Sequence, residues 1–415
     1  MFDETPSFAE PNTSSDPTPS SDTRVDAEPP RLKSFVMAGF ECTASLTNDG
    51  RRLDLLHASA HDRCVVEDYE MIAEYGMQTV REGLSWSSID RGDGVYDFGR
   101  YVPMLEAARL TNTQQIWDLS HFDFPERLDP LGAEFVSAYA EYAKRVVETL
   151  RRFSDDTLLI VPMNEPSFFS WMSECGMWAP FLKGDGIMFK RQLVRAAVAA
   201  MDAIWSIDRD VRFIHADPYM YRLPTRLYDE RDVEYCRHFN ENVRWQSWDM
   251  ISGRIEPELG GRPEFLDIIG VNYYMHNQQF ALDDSVHEPY FETVPLDHPD
   301  RLSLTEVLNE VHDRYERPII ITETGSYEGH RPTWWEVTLR GLRQAMDERL
   351  PVYGVCSYPT LDVTPDAGFI APRSGLWDFD PADVDCRRIP HEASLNVIRQ
   401  FAESLHENKA RAAVV

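Results

Sequence analysis

Residues 158–166 read Leu-Leu-Ile-Val-Pro-Met-Asn-Glu-Pro, an apolar run that ends in the polar pair Asn164 and Glu165. A second run, residues 318–325, reads Pro-Ile-Ile-Ile-Thr-Glu-Thr-Gly and carries Glu323 close to its end. A nearly continuous hydrophobic run is typical of a buried strand in a parallel sheet, and in a (β/α)8 barrel the carboxyl ends of the strands face the ligand. The two runs therefore predict two strands that bring two glutamates to one cleft.

The rest of the chain alternates short apolar runs with longer stretches of helical period, which is the pattern of repeated βα units. The fold class predicted from this alternation is α/β, a single-domain (β/α)8 TIM barrel with amphipathic helices covering the outside. The predicted strands are residues 35–40, 79–82, 115–119, 158–163, 212–216, 266–272, 318–322 and 353–357.

The first part of the chain differs from this pattern. Residues 1–32 are rich in Ser, Thr, Pro and acidic residues and have almost no aliphatic content, so they are predicted to form a disordered acidic tail. Residues 33–410 are predicted to form the barrel domain. We find no internal repeat.

Charge and composition restrict the partners that the chain is expected to have. Its formal net charge is −29, from 70 acidic and 41 basic residues, and such a surface repels nucleic acid and anionic membranes. No apolar run approaches the ~20 residues of a membrane span. We therefore expect a small neutral substrate, no nucleic acid and no membrane partner.

The N-terminus and the cysteines bear on the compartment. The segment Met1–Pro6 lacks the basic and apolar parts of a secretory signal, so a cytoplasmic location is expected. The 6 cysteines stand far apart without any Cys-x-x-Cys pair, and we interpret them as buried thiols rather than disulfides or metal ligands. Neither a cofactor nor a metal ion is predicted.

Paired carboxylates across a cleft are the machinery of glycosidic bond hydrolysis: one protonates the leaving oxygen, and the other attacks the sugar carbon or activates water. Other predicted strand ends supply suitable neighbours. Arg81 could hold a carboxylate ionised, His121 could bind sugar hydroxyls, and Tyr274 could donate a hydrogen bond to a nucleophile.

Five short motifs, in this order along the chain, resemble the family 1 β-glycosidases of the clan A glycoside hydrolases. The motifs are Arg-Glu-Gly-Leu-Ser-Trp at 81–86, His-Phe-Asp-Phe-Pro at 121–125, Asn-Glu-Pro at 164–166, Gly-Val-Asn-Tyr-Tyr at 270–274 and Thr-Glu-Thr-Gly at 322–325. Their order and approximate spacing match the family, and the resemblance covers about residues 35–380.

The resemblance implies a retaining β-glycosidase that acts without a cofactor on a small glycoside or oligosaccharide. Glu165 would be the general acid and base, and Glu323 the nucleophile that forms a covalent glycosyl-enzyme intermediate. The substrate-binding residues implied by the motifs, together with two tryptophans whose rings could stack on a sugar, are Arg81, His121, Asn164, Asn272, Tyr274, Trp178 and Trp377.

The chain departs from the family pattern where the outer hydroxyls of the sugar are bound. A glutamine after the first strand and a Phe-Glu-Trp run after the eighth are both missing, so specificity for glucose or galactose is not carried over. Glu41, Asp362 and Asp366 are candidate replacements by position. The Lys and Tyr spacing that family members use for a 6-phosphate is also missing.

Three alternatives to an exo-acting β-glucosidase-like hydrolase remain open. The chain could be a transglycosidase, an endo-acting clan A glycanase, or a glycan-binding pseudoenzyme, since its eighth-strand loop is altered. The sequence does not determine the sugar, the aglycone or the oligomeric state.

Overall fold

Eight parallel strands close into a barrel in the computed structural model, which describes residues 28–281, 292–363, 373–379 and 387–412. Around the barrel the strands follow one another in chain order, and the first pairs with both the second and the eighth. The strands are β1 (Val36–Gly39), β2 (Thr79–Gly83), β3 (Gln114–Asp118), β4 (Leu159–Val161), β5 (Arg212–Pro218), β6 (Ile268–Asn272), β7 (Ile319–Thr324) and β8 (Val352–Ser357).

The predicted TIM barrel is confirmed, and each strand overlaps its predicted region with differences of at most two residues at the ends. Strand β4 is the clearest difference: residues 158–163 were expected, and Leu159–Val161 form the strand. Pro162 has no backbone N–H to give to a sheet ladder, so regular pairing stops just before it. The segment from Pro162 to Asn164 then carries the chain to Glu165.

Helices surround the barrel and bury apolar side chains against it. The helix Ala133–Leu150 shows this clearly, because Phe135, Tyr139, Tyr142 and Val146 recur at helical spacing and are all buried. The α-helices are α1 (Leu55–Ala58), α2 (His61–Ala73), α3 (Trp86–Ile89), α4 (Val102–Thr111), α5 (Ala133–Leu150), α6 (Pro166–Glu174), α7 (Gly186–Trp205), α8 (Glu230–Glu241), α9 (Gln246–Ile251), α10 (Leu304–Tyr315), α11 (Arg331–Asp347) and α12 (Glu392–Ala412).

Short strands and 3-10 turns lie in the loops between these helices and strands. In the described part of the chain, two-stranded sheets pair Asp90–Gly92 with Val95–Tyr96, Tyr221–Leu223 with Gln278–Phe280, and Trp377–Phe379 with Arg388–Pro390. Within the described ranges, 3-10 turns lie at Val243–Trp245, Pro257–Leu259, Pro263–Phe265, Met275–Asn277 and Glu328–His330.

Apolar side chains fill the interior of the barrel at one end. Strand β7 shows the alternation: Ile320 belongs to the inner cluster, while Ile319 and Ile321 pack outward against the helices. The inner cluster consists of Met37, Ile116, Leu159, Val161, Ile214, Ala216, Ile268, Ile320 and Cys356. Polar side chains follow at the carboxyl ends of the strands, so this is the end where a site can form.

The predicted tail, residues 1–32, lies mostly outside the described residues. The chain contacts the barrel from Glu28 onward, since the Glu28 carbonyl accepts a hydrogen bond from Arg212 at 2.8 Å and the Arg31 carbonyl accepts one from Gln114 at 2.9 Å. In the described part of the chain, no helix has the length and apolar character to cross a membrane.

The interpretation of all cysteines as thiols is wrong for Cys64, which is disulfide-bonded. Cys42, Cys236 and Cys356 are buried free thiols, and Cys175 is a half-buried one. Spacing along the chain misled the prediction because residues far apart in sequence can meet in the fold. Disulfides persist mainly in oxidising compartments, so Cys64 does not support the cytoplasmic expectation.

A buried charged network joins α2 to the outside of strand β2. His61 contacts Asp68 through Nδ1 at 2.7 Å and Glu82 through Nε2 at 3.0 Å, and all three side chains are fully buried. Arg388 donates to both oxygens of Asp68 at 2.7 and 2.8 Å. Burial by itself lowers the pKa of His61, but Glu82 and Asp68 outweigh it and raise that pKa to about 9.

This network predicts a loss of stability at high pH. The pKa of His61 rises on folding, so its protonated ring stabilises the folded state. This stabilisation is complete below the pKa of ~6.5 in the unfolded chain and disappears as pH rises through about 9. We expect the free energy of unfolding to fall by about 3 kcal/mol over this window, measured by urea titration. His61→Gln should remove this pH dependence, whereas His57→Gln, at an exposed histidine, should keep it. An unchanged pH dependence in His61→Gln would contradict the assignment.

Candidate active site

Glu165 stands at the junction between strand β4 and helix α6. Its backbone adopts a left-handed conformation with φ of 43°, and its N–H donates to the carbonyl of Ala216 in β5 at 3.0 Å. The carboxyl group accepts a hydrogen bond from Asn272 Nδ2 at 2.7 Å, and Thr322 holds the Asn272 amide by donating to its Oδ1 at 2.6 Å. The Glu165 side chain is therefore positioned by strands β5, β6 and β7.

Glu323 lies in β7 at a break in the regular strand pairing. The register of β7 shifts after Ile321 against both neighbouring strands. Irregularities of this kind often re-aim a side chain near an active site. Glu323 Oε1 accepts a hydrogen bond from Arg81 at 2.5 Å, and Oε2 accepts one from the Tyr274 hydroxyl at 2.7 Å.

Arg81 is a buried cation behind Glu323, with only 1% of its surface exposed. Besides Glu323, it donates to both oxygens of Asp118 at 3.0 and 2.7 Å and to Asn164 Oδ1 at 2.7 Å. A permanently charged guanidinium stabilises nearby carboxylates in their ionised form. Glu323 thus contacts one cation and one hydroxyl donor.

His121 extends this network toward the cavity. Its Nδ1 contacts Asp118 at 2.9 Å and its Nε2 contacts Asn164 Nδ2 at 3.1 Å. Burial lowers the pKa of His121, while Cys42 and Asp118 raise it well above the ordinary value. The contact with Asn164, however, disfavours a protonated His121. Because Asn164 gives its oxygen to Arg81, its NH2 group faces Nε2, and an imidazolium would set two donors against each other. We therefore assign the neutral ring with its proton on Nδ1.

The environments of the two glutamates differ in charge. Burial, followed by the negative charge of Glu323, raises the pKa of Glu165 well above its ordinary value. Glu165 receives a hydrogen bond from a neutral amide, whereas Glu323 pairs with a cation. This arrangement favours the protonated form of Glu165 and sets a cation beside Glu323, and unequal surroundings of this kind can give one site two carboxyl groups with different roles.

Both glutamates line one cavity of about 710 Å³ at the carboxyl end of the barrel. His121 and Tyr274 line it as well, while Arg81, Asn164 and Asn272 lie buried behind and contact the lining residues. The cavity is large enough for a sugar ring together with a further group. Aromatic and apolar side chains form much of its wall: Phe122, Phe168, Trp171, Met220, Phe239, Val243 and Met275.

The structure does not bring Trp178 and Trp377 to this cavity, although stacking on a sugar was expected for both. Trp178 is 2% exposed and packs against Phe122 and Phe168, with ring centres 5.1 and 5.6 Å apart. Trp377 is 1% exposed and packs edge-on against Tyr75. The only property that the sequence supplied was an indole in a loop region, and this does not separate a packing ring from an exposed one.

The candidate replacements for the missing sugar ligands have different positions. Glu41 lines the cavity, and its Oε1 is held by the N–H groups of Cys42 and Thr43 at 3.0 and 2.9 Å. Asp362 is buried and accepts hydrogen bonds from the amides of Ser374 and Gly375. Asp366 lies outside the described residues.

Sequence reasoning missed two residues of the site. Asp118 binds both Arg81 and His121, and its signal was alternation, because it lies two residues beyond the inward-facing Ile116. Tyr358 lines the cavity and stacks on His121, with ring centres 5.7 Å apart. It follows strand β8, within the region where the family motif is absent.

Among the described residues, Cys42, Asp118 and His121 are grouped closely enough to raise the question of a metal ion. They do not fit one. Both oxygens of Asp118 are occupied by Arg81, whose permanent charge would repel a cation. Burial also raises the pKa of the Cys42 thiol, so the thiolate that a metal requires is disfavoured.

The unequal environments predict that Glu323→Gln lowers the pKa of Glu165, because the substitution removes a neighbouring negative charge. The carbonyl stretch of the protonated Glu165 carboxyl, identified by its loss in Glu165→Gln, can be followed by infrared pH titration. Glu174→Gln, at the exposed rim of the cavity, should leave that titration unchanged. If the pKa of Glu165 does not move in Glu323→Gln, the two carboxyl groups are not coupled as described.

No family model matches the chain, and known proteins resemble it at low identity. A curated relative, beta-glucosidase 31 of Arabidopsis thaliana, is 24% identical over 418 residues, covering 79% of this chain and 77% of the relative. A beta-glucosidase from Thermotoga maritima, solved with deoxynojirimycin, has a TM-score of 0.69 at 17% identity and covers 90% of this chain and 98% of its own. A beta-glycosidase from Pyrococcus horikoshii has a TM-score of 0.71 at 19% identity and covers 90% and 95%. The resemblance to the family 1 β-glycosidases predicted from the motifs is confirmed, and the low identity is that of a diverged relative.

Proposed function

We propose that the chain is a retaining β-glycosidase that uses Glu165 and Glu323 through a covalent glycosyl-enzyme intermediate. The observation that carries the proposal is the asymmetry of the two buried glutamates in one cavity: Glu323 is paired with Arg81 and Tyr274, and the pKa of Glu165 is raised. The curated relative and the structural neighbours, which are named as β-glucosidases or a β-glycosidase, support the reaction class.

In the first step, Glu165 gives its proton to the glycosidic oxygen while Glu323 Oε attacks the anomeric carbon. The bond from that carbon to the leaving oxygen breaks, and an ester between Glu323 and the sugar forms. A raised pKa keeps Glu165 protonated for this transfer. When the charge of Glu323 is consumed in the ester, the repulsion that raised the pKa of Glu165 disappears.

In the second step, Glu165 acts as a carboxylate and takes a proton from water, which attacks the anomeric carbon and breaks the ester. The fall in the pKa of Glu165 after the first step favours this change of role. Arg81 and Tyr274 stabilise the negative charge that Glu323 regains when the ester breaks. Water can be replaced by a sugar hydroxyl in this step, and transglycosylation would then result.

Recognition of the sugar is assigned to the inner part of the cavity, around Glu41, His121 and Tyr358. Glu41 has the position and the fixed orientation to accept hydrogen bonds from sugar hydroxyls, and we propose it as the replacement for the missing glutamine. The partner of the site is then a small glycoside or oligosaccharide.

Azide separates the roles of the two glutamates. Glu323→Ala should abolish hydrolysis of aryl β-glycosides, and added azide should restore turnover with an α-glycosyl azide as product, because it enters from the face of the lost nucleophile. Glu165→Ala should slow the reaction on poor leaving groups by ~10²–10⁴-fold and give a β-glycosyl azide. Glu336→Ala, at an exposed glutamate of α11, should behave as the unmodified protein.

Covalent labelling tests the alternative that the protein is a glycan-binding pseudoenzyme. A 2-deoxy-2-fluoro glycosyl reagent should label Glu323, detected as a mass increase on the peptide that contains it. If glucosyl, galactosyl, mannosyl and xylosyl reagents all fail to label the protein, and both alanine variants retain the starting rate, the proposed mechanism is wrong.

The pH dependence of kcat/KM is expected to be controlled on its basic side by Glu165. Because Glu165 must be protonated, activity falls as pH rises through its pKa, which lies well above 4.5. In Glu165→Ala this fall in kcat/KM at high pH, the basic limb of the profile, should be absent when the leaving group is activated. A leaving group such as 2,4-dinitrophenol needs no proton. A basic limb that persists unchanged in that variant would assign the acid to another group.

A further inference from the structure

The outer wall of the cavity carries basic side chains, in a chain whose formal net charge is −29. Lys190, Arg222 and Arg244 all line the cavity. Arg244 is neutralised by an ion pair with Glu310 at 2.7 Å. Lys190 and Arg222 are largely buried, with 8% and 6% of their surfaces exposed. Buried charges of this kind are usually paired or hydrogen-bonded.

Lys190 holds its charge with little compensation. Its ammonium donates to the neutral side chain of Gln246 at 2.9 Å, and in the described ranges no carboxylate oxygen lies within ion-pair distance of it. Burial lowers its pKa, and the more distant charges of Asp217 and Glu174 only partly oppose that effect. An ammonium has three donors, so this one can bind an anion in the cavity without breaking an ion pair.

Arg222 belongs to the same continuous wall. It lies in the short strand Tyr221–Leu223, donates to the side-chain oxygen of Gln279 and stands 5.1 Å from the centre of the Phe239 ring. The wall continues from Lys190 through Gln246 to Arg244 and from there to the strand that holds Arg222. A guanidinium with a planar fork of donors suits a carboxylate or a phosphate.

This wall lies on the side of Glu165, where the leaving group must be. Asp217 connects the two regions: its Oδ1 accepts from the N–H of Ser167 at 3.1 Å, and its charge acts on both Glu165 and Lys190. Ser167 also lines the cavity, and its buried hydroxyl has no hydrogen-bond partner among the described residues. A buried hydroxyl without a partner is rare and points to a bound group.

We propose that Lys190 and Arg222 bind an anionic group, a carboxylate or a phosphate, on the leaving group of the substrate, with Ser167 as a further donor. The inference rests on the proposed glycosidase function and adds a substrate class to it. It replaces the expectation of a wholly neutral substrate, which was drawn from the net charge of the whole chain. The sugar itself still binds in the inner part of the cavity, beside Glu41, His121 and Tyr358.

Matched substrates test the proposal. The β-glucosides and β-galactosides of 4-hydroxybenzoate, 4-hydroxybenzamide and 4-phosphonophenol present a carboxylate, a neutral amide of similar shape and a phosphorus oxyanion. We expect kcat/KM to favour an anionic leaving group over the amide by about tenfold to a hundredfold, which is the range of one charge-assisted hydrogen bond. The carboxylate and phosphonate arms show which oxyanion is preferred.

Paired variants identify the residues. Lys190→Met and Arg222→Met should each lower kcat/KM for the anionic substrates by about tenfold or more and leave the value for the amide substrate nearly unchanged. Lys183→Met makes the same change in net charge at an exposed lysine outside the cavity and should preserve the preference. Thermal unfolding of each variant checks that it is folded.

A binding measurement separates failure of this inference from failure of the proposed function. Calorimetry with free 4-hydroxybenzoate and 4-hydroxybenzamide on the full chain needs no turnover. Preferential binding of the benzoate, lost in Lys190→Met, together with no hydrolysis of any glycoside would reject the glycosidase and retain the anion site. Hydrolysis with equal kcat/KM for the benzoate and benzamide glycosides, or an equal loss for both in Lys190→Met, would overturn the anion site alone.

Discussion

The site depends on one buried cation. Burying a guanidinium is costly unless its donors are satisfied, and Arg81 satisfies them with groups from three other regions of the barrel. Asp118 comes from β3, Asn164 follows β4, and Glu323 belongs to β7. Because these groups converge on a single side chain, the position of the nucleophile candidate is fixed by the closure of the whole barrel rather than by a local loop.

The second feature of the site is that its two carboxyl groups are chemically unequal. Glu323 has a cation and a hydroxyl as partners, while Glu165 has one neutral amide and a negative neighbour. The inequality does not need different residue types, because burial and neighbouring charge are sufficient to separate an acid from an anion. The charge on Glu323 also controls the pKa of Glu165, so a change at Glu323 comes first and a change in the protonation of Glu165 follows.

Much of the barrel could be predicted from sequence because its strands are buried on both faces and read as apolar runs. The glutamates could be predicted because a polar residue at the end of such a run has few other places to go. Asp118 was missed because a single acid inside an apolar strand carries no motif. Trp178 and Trp377 were expected at the site and pack away from the cavity, since a sequence does not show which rings face inward.

Other properties of the site depend on contacts between distant segments and so were not visible in the sequence. Lys190 belongs to helix α7 and Arg222 to the short strand Tyr221–Leu223, and they line one cavity only in the folded chain. The average charge of the chain pointed in the opposite direction. The disulfide of Cys64 likewise could not be read from the sequence around it. In each case the local sequence is ordinary, and the three-dimensional arrangement creates the property.

The circular order of the strands also sets a condition on how the protein is made. Strand β1 lies between β2 and β8, and the N–H of Gly39 donates to Thr360, which is 321 positions further along the chain. During synthesis on the ribosome, one edge of the growing sheet therefore stays without its partner until nearly the last strand has emerged. Non-local pairing of this kind is slow and leaves strand edges open to aggregation, so the unpaired edge of β1 is the part of the nascent sheet that is exposed for longest.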